Sequence, residues 1–123
     1  MTIGYQAYQS NSIQTAPPEQ LVVMLYDGCL RFLRRAEAAA KEGRRPQTTD
    51  AVSRATAIVM ELNATLDMER GGQIAANLRS LYFFLHRHLN DAARETSVPK
   101  IAQAIQLVSE LRGAFAEAAK KAA

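Results

Sequence analysis

The sequence holds one cysteine, no tryptophan, four prolines and six glycines in 123 residues. A single thiol excludes an internal disulfide and fits a reducing compartment. Scarce proline and glycine, beside abundant Ala, Leu, Arg, Glu and Gln, favour helix. No strand pattern and no long internal repeat is present. No apolar run approaches the roughly 20 residues that cross a bilayer, and the polar N-terminus has no signal-peptide pattern. A cytoplasmic protein without direct membrane insertion is therefore expected.

The signatures of catalysis and metal binding are missing too. There is no nucleophile elbow, Walker loop, dinucleotide fingerprint or Cys-x-x-Cys. Helical bundles that hold two irons use Glu-x-x-His pairs, and no glutamate here has histidine three residues on. His86 and His88 are the only histidines. A spacing of two sets them far apart around a helix, so they do not chelate one ion together. Cys29 falls on an apolar stripe, which predicts a buried, inert thiol. The expectation is a non-enzyme with no cofactor and no metal.

Net charge is only +3. Much of the excess lies in Arg31, Arg34, Arg35, Lys41, Arg44 and Arg45, near the end of one predicted helix, where its dipole favours cations. No aromatic or base-reading side chain accompanies this patch in a known nucleic-acid motif, so no nucleic acid is expected. An RNA-binding or regulatory adaptor built on Arg31–Arg45 is the alternative function.

What the chain does have is helical periodicity. The stretch Leu62–Tyr82 reads as the end of one amphipathic helix, a break at Gly71-Gly72, and the start of the next. Asp67 and Glu69 sit awkwardly at a helix C-terminus, with Arg70 in partial compensation. The predicted first helix runs from about Pro18 to Lys41, ended by Gly43 and Pro46, with a core stripe of Leu21, Leu25, Cys29, Phe32 and Ala36. Gly28 inside it implies a close helix approach. The second helix is predicted from Thr48 or Thr49 to Glu69, with Ala51, Ala55, Ile58, Val59, Leu62 and Leu66 inward. The third spans about Gln73 to Glu95 with Ile74, Leu78, Leu81, Leu85, Leu89 and Ala92. The fourth runs from Ser97-Val98-Pro99 to about Lys120 with Ile101, Ala104, Ile105, Val108, Leu111, Phe115 and Ala118. Helices of this length, about 30–36 Å each, joined by short loops, give an all-α, antiparallel up-down four-helix bundle over residues 17–123. Residues 1–16 form a flexible N-terminal arm.

Some apolar residues exceed what the core stripes need. Val23, Tyr26 and Leu30 make a second line on the first helix; Ala57, Met60 and Ala64 do so on the second. Phe83 points away from the third stripe. Met60 and Phe83 lie about equally far either side of the Gly71-Gly72 break, so they share a height on neighbouring helices. A methionine beside an aromatic suggests a hydrophobic partner-binding groove. In the arm, Ile3, Tyr5 and Tyr8 are the apolar anchors. Docking them gains about 10 kcal/mol, and ordering the arm costs about as much, which predicts a displaceable cover.

Several blocks resemble one family. Thr15-Ala16-Pro17-Pro18-Glu19-Gln20-Leu21, Met24-Leu25-Tyr26-Asp27-Gly28 with Arg31-Phe32-Leu33, and Glu61-Leu62-Asn63 are similar to the flagellar secretion chaperone FliS family. So are Leu66-Asp67-Met68-Glu69-Arg70-Gly71-Gly72-Gln73-Ile74-Ala75, Asn77-Leu78 and Leu81-Tyr82, with Leu111-Arg112 and Phe115 in looser agreement. Pro17 stands where a serine cap is usual, and Phe83-Phe84 replaces a more polar pair. The resemblance implies a bacterial cytoplasmic chaperone that binds the disordered C-terminal tail of flagellin and prevents its premature polymerisation. It also implies delivery to the flagellar type III export gate, where the membrane protein FlhA is the receptor, and an N-terminal arm anchored by Tyr5 and Tyr8.

Overall fold

A computed structural model describes residues 18–122. The predicted arm, with Ile3, Tyr5 and Tyr8, lies outside them. Four helices follow in order: α1 (Pro18–Lys41), α2 (Arg45–Ala64), α3 (Met68–Glu95) and α4 (Val98–Ala122). Connections of two or three residues leave the chain no course but reversal, so consecutive helices run antiparallel. Around the bundle α1 touches α2 and α4, and α3 touches α2 and α4; the diagonal pairs do not approach at the backbone. The expected four-helix bundle is the observed one, and no strand occurs among the described residues.

The helix ends follow from local chemistry. Gly43, at φ 70°, closes α1. Its N–H reaches the Ala40 carbonyl at 3.0 Å, and that of Arg44 reaches Ala39 at 2.9 Å, a Schellman closure. Pro46, read from sequence as a terminator, instead occupies the first turn of α2, where its missing N–H has no partner to lose. That helix therefore begins at Arg45 and not at Thr48 or Thr49. Thr48 is fully buried, with its hydroxyl donating to the Arg44 carbonyl at 2.7 Å. Ser97 caps α4 by accepting from the Lys100 N–H at 3.2 Å.

The corner between α2 and α3 departs from the prediction. Helix α2 stops at Ala64, not Glu69. Asp67 then caps a new start by accepting from the Arg70 N–H at 3.1 Å. Its carboxylate, awkward at a C-terminus, is thus favourable at an N-terminus. One turn later Gly72 adopts φ 50°, ψ −128°, a conformation open essentially to glycine alone. A Cβ on Gly71 would meet the Ala75 Cβ at 2.6 Å. The two glycines therefore kink α3 one turn in; they do not separate α2 from α3.

Tyr26, Cys29, Leu33, Val59, Leu62, Leu85, Leu89 and Ile101 lead the core. The predicted stripe of α2 is buried as expected from Ala51 to Leu62, and Gly28 meets α2 where a Cβ would lie 3.4 Å from Ile58 Cδ1. The phase of α1 needs correction. Tyr26 and Leu30, assigned to an outer line with Val23, are buried, whereas Leu21, Leu25 and Phe32 are only half-buried. Contact with helices on two sides widens the buried arc and centres it between the two predicted lines, near Leu33. On α3, Ile74 was placed in the core and is 73% exposed. The kink at Gly72 resets the helix, so Ala75 faces inward instead.

Candidate functional site: two apolar depressions beside α3

Two depressions run along α3. The first, of about 350 Å³, lies at the end of the bundle where α1 begins. Its walls are Val22 of α1, Leu66 of the α2–α3 corner, Ile74 and Leu78 of α3, and Phe115 of α4, with Tyr82 at its base. The kink makes this trough, because it leaves Ile74 and Met68 in solvent beside Leu66. No α4 residue from 109 to 121 is fully buried, so the last part of that helix forms a thinly covered wall.

Beneath the trough, residues far apart in sequence meet. The hydroxyls of Tyr26 and Tyr82 share a hydrogen bond of 2.5 Å. Tyr26 also packs on Phe115, with ring centroids 5.4 Å apart. One residue after Tyr26, Asp27 Oδ1 accepts from Arg112 Nε at 2.9 Å, and Arg112 stands three residues before Phe115. Burial raises the Tyr26 hydroxyl far above its ordinary range, and the bond to Tyr82 adds to this. Tyr82 is raised as well, chiefly by burial, and the bond to Tyr26 partly offsets it. Both stay neutral at physiological pH, and each hydroxyl finds its buried partner in the other. Three blocks of the family resemblance, those holding Tyr26-Asp27, Tyr82, and Arg112 with Phe115, thus converge on one floor.

The second depression, of about 450 Å³, lies between α2 and α3 and is lined by Ala57, Met60 and His86 among others. Phe83, one turn before His86, is 39% exposed, and the Arg79 guanidinium lies 5.9 Å from its ring centroid. Met60 is half-buried, and Ala57 and Ala64 are exposed, with Ala64 one turn beyond the groove. Of the predicted groove set, Met60 and Ala57 therefore line one depression, with Phe83 on the adjoining turn. Val23, half-buried on α1, does not join them, because α1 lies diagonally across the bundle from α3 and their backbones do not approach. Tyr26 and Leu30 lie under the surface and present nothing to a partner. The trough is absent from the sequence reading, because it is assembled from four separate segments.

Cys29 is fully buried, its thiol donating to the Ala55 carbonyl at 3.7 Å, and burial pushes it up to about 12. It is the inert core thiol expected from its position. His88 Nε2 donates to the Lys100 carbonyl at 2.8 Å, and its ring stacks on Phe84. Among the described residues no three His, Cys, Asp or Glu side chains gather where they could hold a metal, and no helix is long and apolar enough to cross a membrane.

The chain matches the family described as Flagellar protein FliS over residues 1–122. Among its relatives, a flagellar secretion chaperone FliS of Salmonella typhimurium is 37% identical over 123 residues, covering 96% of this chain and 88% of that protein. The protein of that name from Campylobacter jejuni is 36% identical, covering 94% of this chain and 90% of its own length. The one from Bacillus subtilis is 33% identical, with 93% and 84% covered.

Proposed function

This chain belongs to the flagellar protein FliS family, and from that premise we propose that it is a cytoplasmic export chaperone whose client is the disordered C-terminal segment of flagellin. The observation that carries the reading is the placement of surplus apolar surface. Of the five large apolar side chains exposed among the described residues, Met68, Ile74, Phe83 and Phe84 belong to α3 and Met24 to α1, and α3 has the trough on one flank and the groove on the other. A flagellin tail that cannot bury its own apolar face folds against these surfaces and loses the freedom to pack on other flagellins. The trough takes apolar side chains through Leu66, Ile74 and Leu78. The groove takes them through Ala57, Met60 and Phe83.

Delivery follows from the same logic. The client is carried to the export gate protein FlhA and released there by competition, without nucleotide. Residues 1–16, through Ile3, Tyr5 and Tyr8, cover part of the apolar surface until the client displaces them. Pro18, where α1 starts, stands one turn from Val22 of the trough wall, so the arm begins beside the surface it covers. The role is that of a binding protein and not of an enzyme, as the chaperone names of the relatives support.

The decisive experiment is co-purification with intact flagellin and with flagellin lacking its C-terminal tail. The expected outcome is a stable complex with the first and none with the second. Equal recovery of both sinks the proposal. Deleting residues 1–12 is expected to tighten tail binding in calorimetry and leave helicity nearly unchanged; an unaltered affinity removes the arm from the mechanism.

A further inference from the structure

On the opposite side of α1 from the core, Arg31, Arg34 and Arg35 project within a little over one turn, all exposed. The helix dipole does not account for them. Helix α1 continues to Lys41, so they stand well before its last turn, and the dipole acts only over that turn. Nor do carboxylates neutralise them. Lys41, Arg44, Arg54, Arg70, Arg94, Lys100 and Arg112 each have an acidic partner, and these three make no ion pair among the described residues. Residues 1–17 and 123 contain no Asp or Glu that could supply one. Like charges three and four residues apart on one helix oppose folding, and against that the cluster gains the contact of Arg35 with the Phe32 ring.

Beside the cluster the surface is ordered and mixed in character. The Phe32 ring has the guanidiniums of Arg35 and Arg54 at 5.2 and 5.8 Å from its centroid, one from each helix. Next to it a hollow of about 490 Å³ opens between the end of α1 and the start of α2, lined by Arg35, Glu42, Arg44, Pro46, Gln47 and Asp50, with Glu42 paired to Arg44 and Asp50 to Arg54. Arginine held against an aromatic ring is characteristic of protein interfaces. The carboxylates of the hollow repel any anion, so the hollow contributes apolar contact at Pro46 and the charge recognition falls to Arg31, Arg34 and Arg35 on α1. A protein segment that alternates acidic and apolar side chains meets the arginines with the former and Phe32 and Pro46 with the latter.

We propose that the Arg31–Arg34–Arg35 face of α1, with the adjoining hollow, is a second docking surface, for an acidic protein segment. It is separate from the client surfaces along α3. Such a surface lets the chaperone engage an acidic partner while its client remains seated, and charge complementarity gives it rapid, salt-sensitive association.

The test compares two charge-matched variants of the full chain: Arg31→Glu/Arg34→Glu/Arg35→Glu, and Arg87→Glu/Lys120→Glu/Lys121→Glu. Binding of a labelled polyglutamate peptide is followed by fluorescence anisotropy at low salt. The first variant is expected to lose about tenfold or more in affinity and the second about twofold or less, with circular dichroism of both unchanged. Equal losses reduce the effect to net charge and overturn the proposal. Tighter binding of single-stranded RNA than of polyglutamate by the unaltered protein also overturns it, since the face is then a nucleic-acid surface. Affinity of the first variant for a flagellin tail peptide is expected to be unchanged; a parallel loss there merges this face with the client site and removes the second surface.

Discussion

The α1–α2 half of the bundle and the α3–α4 half use their apolar residues differently. Helices α1 and α2 meet closely through Gly28, Ala36, Ala51 and Ala55, and bury almost every large aliphatic on their facing sides. Helix α3 keeps Leu85 and Leu89 inside but leaves Ile74, Phe83 and Phe84 in solvent, and α4 buries nothing completely after Val108. One half is therefore a scaffold whose interior is complete. The other carries apolar surface that the chain itself does not cover. A soluble bundle that needed only stability would have polar residues there.

The sharpest way to break this contrast is to truncate an equally apolar residue in each half. Leu33→Ala, at a fully buried site, is expected to cost about 2–5 kcal/mol, read as a lowered urea midpoint. Between the halves lies the tyrosine pair. Tyr82→Phe leaves the buried Tyr26 hydroxyl without its partner and is expected to cost about 1–3 kcal/mol, whereas the double change Tyr26→Phe/Tyr82→Phe costs less than the single one. A double change as damaging as the sum of the two singles refutes the pairing.

The same floor gives the fold an alkaline limit. Tyr26, Tyr82 and Cys29 are all raised in the folded state. Each is an acid held neutral by burial, so its contribution is complete below its unfolded value and lost as pH climbs toward the folded one. For Cys29 that window runs from 9.0 to about 12. Urea midpoints measured from pH 7 to 11 are expected to fall above pH 9 (the lower edge of that window), and Cys29→Ala to fall less over the first part of the range. A midpoint that rises in this range contradicts the burial of these groups.

The smallest effect on stability belongs to the exposed half. Ile74→Ser is expected to change stability by no more than about 0.5 kcal/mol while weakening the flagellin tail. A marked loss of stability with unaltered tail affinity would return Ile74 to the core and empty the trough of its role.

Periodicity and caps were enough to read four helices, the extent of α1 and the inward faces of α2 from Ala51 to Leu62 and of α4 from Ile101 to Phe115; Ala118, expected inward, is exposed where α4 runs past its neighbours. They gave the arc of α1 but not its phase, because a helix with two neighbours buries more than one stripe, and Tyr26 and Leu30 fell on the wrong side. The corner between α2 and α3 was misread for a similar reason. The pair Gly71-Gly72 is the loudest signal there, yet the reversal is made by residues 65–67, where only the carboxylate of Asp67 spoke for a new helix start. The candidate site was the least legible. Met60 and Phe83 were paired by equal distance from one turn, a local argument. The trough joins α1, α3, α4 and a loop, and nothing in the spacing of one helix reports on that meeting.

The non-helical residue at position 72 has a consequence for how this corner tolerates change. An α-helix transmits any rotation along its length, so one residue gained or lost would swing every later side chain by about 100°. Here the screw is already interrupted, and an insertion or deletion before it would turn only the short plug formed by residues 68–71. The long shaft behind it would keep its setting, with Tyr82 still seated against Tyr26, while the lip of the trough takes a new shape.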